Sequence, residues 1–217
     1  MALEMMDEHE KGEAVRAWIR QNGSAIVGGV ALGLVLIFGY QWWQRSQAEH
    51  RITAATQYQA VTEAAERKDL ETLGALSTEL GKEYGDTPYA LLAALQLADA
   101  RLVAGQVKEA RAALDDAAKL TEEPALLALI DLRRARLALA EGDADAAIKG
   151  LDAMPDNMYT GLAAELRGDA LVALGRTDDA RAAYATALVE LDTGAPNRRI
   201  VEMKLSDLGG APAPAEA

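Results

Sequence analysis

The stretch GDALVALGRTDDARAAYATAL, residues 168–188, decides the fold. Its turn glycine is Gly175, followed by small Ala180 and bulky Tyr184, with Gly168 and Leu171 ahead of the turn and Ala187 beyond it. The same phrase stands twice upstream, as DARLVAGQVKEARAALDDA (residues 99–117) and RARLALAEGDADAAIKGLDAM (residues 134–154). The turn glycines Gly105, Gly142 and Gly175 are 37 and 33 residues apart. Five residues after each glycine stands Ala110, Ala147 or Ala180, and nine after each stands Leu114, Leu151 or Tyr184. A small residue is needed where two helices cross, and a bulky one fills the groove against the next pair. Such a pair cannot bury its own apolar face, so neighbours must stack.

These spacings bracket the 34-residue period of a tetratricopeptide repeat, and the third copy carries the fullest match. The expected fold is all-α: a tetratricopeptide-like α-solenoid of stacked helical hairpins, preceded by an N-terminal transmembrane helix. Outward from the repeats, Glu123-Pro124 and Thr87-Pro88 read as helix starts, Thr87 as a side-chain cap and each proline at the first helical position. Leu91, Leu95, Ala98 and Leu102 share one helix face, and Ala110, Ala113, Leu114 and Ala117 share the next. Before them, Leu70, Leu73, Leu76 and Leu80 recur at helical spacing after a turn at Lys68-Asp69. Residues 46–66, with Ile52, Tyr58 and Val61 on one side, read as the other half of that first hairpin.

The composition is rich in Ala and Leu, with one Phe and no Cys, which favours helices over sheets. Formal charge is −12, and residues after Tyr40 hold 19 Lys and Arg against 29 Asp and Glu, or −10. A nucleic-acid partner needs clustered cations to displace phosphate counterions, so it is not expected. The only histidines, His9 and His50, lie one in the acidic leader and one just past the apolar stretch, outside the three aligned repeat phrases. A histidine-based hydrolytic triad and a His or Cys metal centre are therefore excluded there. Asp115-Asp116 and Asp178-Asp179 read as solvated surface or helix-dipole complement. No Gly-rich loop follows a strand, so no phosphate cradle is indicated. The expectation is a protein that is not an enzyme, with no cofactor, no metal and no small-molecule substrate.

Residues 24–40, SAIVGGVALGLVLIFGY, hold no charge, and Gly23 and Gln41 extend the stretch. At about 1.5 Å per residue this nearly crosses a hydrocarbon layer of about 30 Å. Trp18 precedes it and Tyr40, Trp42 and Trp43 follow, while Arg16, Arg20 and Arg45 lie just outside, where long stems snorkel. A cleavable leader competes with a retained anchor through Ser46-Gln47-Ala48. The run's length, five acidic residues before it and two Trp before the cleavage point speak against that. A buried core helix is the other alternative, poorly served by Gly28, Gly29, Gly33 and Gly39. Gly29 and Gly33 have the small-xxx-small spacing of membrane-helix contacts. Lys11, Arg16 and Arg20 before the span outnumber Arg45 and Arg51 after it, which leans towards a cytoplasmic N-terminus.

Stacked hairpins offer a concave face lined by the first helix of each pair, suited to extended peptides or partner helices. Tetratricopeptide domains of the carboxylate-clamp class place Lys and Asn at two positions there. In this chain those positions are Leu95 and Asp99, Leu132 and Arg136, and Glu165 and Asp169, so the clamp is absent. Leu95, Leu132 and Arg136 are the candidate partner contacts, although both leucines also suit the core. Gly29 and Gly33 are the candidates within the span.

From EAVRAWIRQNG through GYQWWQ to LRRARLAL, AELRGDALVALG, DARAAYATAL and the closing MKLSDL, the chain resembles the YfgM family of bacterial inner-membrane proteins. The likeness covers about Glu13 to Leu208 and rests on the order of these blocks. It implies residues 1–22 in the cytoplasm, ahead of the span at 23–43, and a periplasmic tetratricopeptide-like domain at 44–208; residues 209–217, GGAPAPAEA, read by composition as a disordered tail. It further implies an ancillary subunit of the SecYEG translocon, partnered with a PpiD-like membrane-anchored chaperone, that assists transfer of exported proteins to periplasmic chaperones. The family is also linked to control of an envelope stress response regulator. The acidic leader Met1 to Glu13 matches no pattern of the family, which leaves that last role open. A tetratricopeptide scaffold for outer-membrane assembly or cell division is the alternative on the residues alone.

Overall fold

The computed structural model describes residues 2–155 and 157–210, with backbone alone for residues 2–11, 14 and 26. Residues 211–217 of the expected tail lie outside the described ones. Among the described residues nine α-helices are found and no strand, as the repeats predict: α1 (Ala2–Glu66), α2 (Leu70–Glu83), α3 (Pro88–Val103), α4 (Val107–Lys119), α5 (Pro124–Ala140), α6 (Ala144–Asp152), α7 (Thr160–Ala173), α8 (Thr177–Glu190) and α9 (Arg198–Asp207). Two compact units are distinguished, Met1–Ile52 and Thr53–Ala217.

In the second unit, α3 and α4, α5 and α6, and α7 and α8 form the three hairpins that the glycine spacing predicts. Residues 53–66 and α2 supply the pair before them. Each of the three turns closes in one way, because helix ends leave carbonyls without partners. Gly105, Gly142 and Gly175 have φ of +75°, +81° and +73°, a region open to glycine and strained for other residues. The next residue's N–H then reaches back over the turn: Gln106 to Leu102's neighbour Arg101 O at 2.8 Å, Asp143 to Ala138 O at 2.9 Å, and Arg176 to Leu171 O at 2.8 Å. The glycine N–H groups donate to Leu102, Leu139 and Val172, which completes the Schellman cap each time. The turn after α1 has the same bonds with Lys68 at the left-handed position, φ +57°.

Thr87 precedes α3 and Pro88 sits in its first turn, as expected, but Thr87 does not cap with its side chain. Its hydroxyl instead donates to Tyr84 O at 2.7 Å, satisfying the end of α2. The buried Thr87 is thus a stitch between two helices, a role decided by how α2 ends. Side-chain caps occur at Asp69, which accepts from Thr72 N at 3.1 Å, and at Asp143, which accepts from Ala146 N at 2.9 Å.

The core runs through the stack as linked layers. Ala54, Val61 and Ala64 meet Leu73, Leu80 and α3's Ala90 and Ala93. Leu91, Ala98, Leu114 and Ile130 form the next layer, then Ala135, Leu151 and Leu166, then Leu171, Tyr184, Leu188 and α9's Val201 and Leu205. A fully buried leucine contributes roughly 1.5–3 kcal/mol over an exposed one. Ion pairs join successive hairpins in register. Arg134 reaches Asp115 at 2.8 Å and Arg167 reaches Asp152 at 2.6 Å. Both arginines stand eight residues before their turn glycine, and both aspartates ten residues after the preceding one.

Candidate interaction surface

Three first helices, α3, α5 and α7, carry the paired positions singled out in the sequence. Leu95 and Leu132 are each 5% exposed and belong to the core layers, so their side chains pack between hairpins. Arg136 is exposed. Asp99 lies 3.4 Å from Arg133 Nε of the next first helix.

The third pair behaves differently. Lys204 of α9 places its ammonium 2.9 Å from Glu165 Oε1 and 2.7 Å from Asp169 Oδ1. Asn197 Nδ2 donates to Glu165 Oε2 at 2.6 Å, and the Tyr184 hydroxyl donates to Asp169 Oδ1 at 2.7 Å. Burial disfavours the Lys204 ammonium, yet the bonds to Asp169 and Glu165 outweigh it and hold its pKa above the ordinary value. Burial pushes the Tyr184 hydroxyl up, and its bond to the Asp169 carboxylate pushes it further. On the last hairpin, then, the two inner positions are filled from within the chain by α9.

Lys204 and Asn197 were not singled out in the sequence. The signal available was weak: Val201 and Leu205 four apart, after Pro196-Asn197. That pattern marks a short helix but not where it lands.

Between the end of α1, the start of α2 and α3 lies a hollow of about 530 Å³, bounded by Ala65, Lys68, Leu70, Gln96, Asp99 and Val103. Val103 stands 87% exposed at its rim. The buried Gln96 Oε1 has no hydrogen-bond partner. A buried acceptor left unpaired is unfavourable by about 1–3 kcal/mol. The hollow itself is open at Val103 and lined there by Ala65, Leu70 and Ala104, which suits an apolar side chain. Among the described residues no group of three or more His, Cys, Asp or Glu could hold a metal ion.

In the first unit, α1 displays its apolar side chains outward. Val27, Val30, Leu32, Val35, Leu36 and Phe38 are between 59% and 69% exposed. Gly29 and Gly33 face open space, with nothing within 4 Å of an added Cβ. Tyr40 and Trp43 stack with ring centroids 6.1 Å apart, and Gln44 donates to the Tyr40 hydroxyl at 2.9 Å. No single described helix is long and apolar enough to cross a membrane. Val15–Ala25 and Val27–Glu66, bent by 45°, meet that test together.

A family profile described as tetratricopeptide repeat-like domain matches residues 16–210. The chain is 32% identical to an ancillary SecYEG translocon subunit of Escherichia coli (strain K12), over 93% of this chain and 97% of that protein. Proteins of the same name from Haemophilus influenzae and Aggregatibacter actinomycetemcomitans are 25% and 23% identical, over 96% and 94% of this chain and 100% and 98% of their own lengths.

Proposed function

Because the chain belongs to the family of ancillary SecYEG translocon subunits with a tetratricopeptide repeat-like domain, we propose that it is a membrane-tethered protein-interaction module serving that translocon. The observation that carries this reading is the length of the match: likeness to the Escherichia coli subunit runs through the apolar segment and the repeats alike, over 93% of the chain. Residues 23–43 are the span, supported by the outward apolar face and aromatic rings of α1. The excess of cations ahead of the span favours a cytoplasmic N-terminus, with residues 44–208 in the periplasm. There the repeats bind a PpiD-like chaperone and assist transfer of exported proteins to periplasmic chaperones. Arg136 and the hollow beside Val103 are the open parts of the inner face that such partners meet.

Affinity purification from mild detergent tests the reading: translocon subunits should co-purify with the tagged full chain. Recovery of outer-membrane assembly or division machinery without any translocon subunit would overturn it. A periplasm-active reporter fused after Leu208 tests the orientation separately, and activity only for a cytoplasm-active reporter would reverse it.

A further inference from the structure

The structure assigns a second docking site to the opposite side of the repeats: a groove between α2 and α4 that takes a basic amphipathic helix of a partner protein. Two adjoining hollows of about 760 and about 230 Å³ share Thr78, Leu97, Ala113 and Asp116. Buried Ala94 and Ala113 and half-buried Leu97 form their apolar floor, and Ala75, Gly81 and Ala112 add small residues to the walls. Gly81 lies in the last turn of α2, and nothing stands within 4 Å of an added Cβ. Its smallness serves no contact within the chain. It leaves room for another backbone to come close.

Charge on the rims identifies the occupant. α2 supplies Glu71, Glu79 and Glu83, and α4 supplies Glu109 and Asp116. Of the cations lining the groove, Lys119 is already bonded to Asp116 at 2.7 Å, and Arg101 turns inward, donating to Leu70 O at 3.0 Å. Lys82 and Arg101, the latter bonded only to the neutral acceptors Leu70 O and Gln106 Oε1, face Glu71, Glu79, Glu83 and Glu109, none of which forms an ion pair among the described residues. Later junctions are unlike this one. Arg134 crosses to Asp115, Arg167 to Asp152, and Arg111 to Glu141. The first junction thus keeps an excess of unpaired carboxylates on both sides of an apolar floor. A helix with an apolar stripe flanked by Lys or Arg complements it, in the helix-in-groove manner.

This goes beyond the translocon reading, and either can fail alone. The test uses the full chain in non-ionic detergent and a labelled synthetic helix of about 18 residues, long enough to hold helix, with a Leu/Ala face flanked by Lys. Fluorescence anisotropy reads its binding, with a Glu-flanked peptide as control. The Lys-flanked peptide should bind, about tenfold or more tightly than the control, and weaken with salt. Two variants should each lower its affinity about tenfold: E71K/E79K/E83K/E109K, and Ala112→Trp, which obstructs the groove from its wall without changing charge. The variant E122K/D145K/E190K/D207K makes the same change in net charge elsewhere and should bind as the parent does. Equal losses in both charge variants, or no loss in Ala112→Trp, would mean diffuse attraction to an acidic chain and overturn the site, as would absence of binding. Thermal unfolding of each variant identifies any loss that comes from misfolding, and Thr78→Trp is the second groove-filling variant if Ala112→Trp unfolds.

Discussion

Gly168→Ala should destabilise the repeat domain, although alanine is the better helix former. A Cβ at Gly168 would stand 2.3 Å from Tyr184 Cε1, 2.5 Å from Cδ1 and 2.9 Å from Cζ. Ordinary contact begins near 3.4 Å, so the ring must retreat by about 1.1 Å (3.4 − 2.3). Tyr184 is 2% exposed, and its hydroxyl is held 2.7 Å from Asp169, so retreat strains both packing and bond. Overpacking of this kind is unfavourable by about 1–3 kcal/mol, the disturbed hydrogen bond adds about 1, and helix propensity returns about 0.5–1. The net is about 2 kcal/mol, or about 4–8 °C in Tm for a domain of this size. The equivalent positions in the other hairpins, seven residues before the turn glycine and nine after it, are Ala98 with Leu114 and Ala135 with Leu151. Gly168→Ala with Tyr184→Leu would install their pairing and should recover about half or more of the loss. Urea and thermal unfolding of residues 46–217, followed by far-UV circular dichroism, measure both. Gly168→Ala within about 0.5 kcal/mol of the parent, or no recovery in the double variant, would refute the size exchange across the hairpin.

Further outcomes follow from the same geometry. Lys68→Gly should raise Tm by up to about 4 °C, because the left-handed turn is unfavourable for lysine by about 1–2 kcal/mol and glycine's greater freedom in the unfolded chain offsets only part of that. Gly142→Ala, at φ +81°, should lower stability by about 1–2 kcal/mol in the same urea experiment. Lys204→Ala should release α9 and leave Glu165, 13% exposed, beside Asp169 without a cation, a loss of about 1–3 kcal/mol; faster amide exchange in residues 198–207 would show that α9 is the part that loosens. Lys204 and Tyr184 both hold their protons more tightly folded than unfolded. Their contribution is therefore complete below the ordinary tyrosine pKa of 10.0 and fades as pH rises above it. Urea midpoints from pH 8 to 11 should fall at the alkaline end, and less steeply in Tyr184→Phe.

The hairpins were legible in the sequence because the forces that make them are local. Gly105, Gly142 and Gly175 are the residues that a left-handed helix end demands, and their Schellman bonds involve only the adjoining turn. The residues at the fifth and ninth places after each glycine face the partner helix by helical periodicity alone. Lys68 escaped that pattern, since lysine carries no signature for the conformation its turn imposes. Leu95, Leu132 and Arg136 hold neighbouring or equivalent places in the repeat, yet only stacking decides that the leucines are covered and the arginine is not.

Sequence alone determined the class of helix pairs, their number after Thr87, the apolar segment ahead of them and the absence of histidine and cysteine from the repeats. Tertiary structure decided what spacing cannot carry. Thr87 became a stitch to Tyr84 instead of a side-chain cap, because the end of α2 lies beside it. Lys204, 39 residues beyond Glu165, took the inner positions of the last hairpin. The groove between α2 and α4 took shape only when Ala75 of one helix and Ala112 of the other came to line one hollow. Local bonds are written in neighbouring residues, whereas the match of charge and volume between distant ones exists only after the chain has folded.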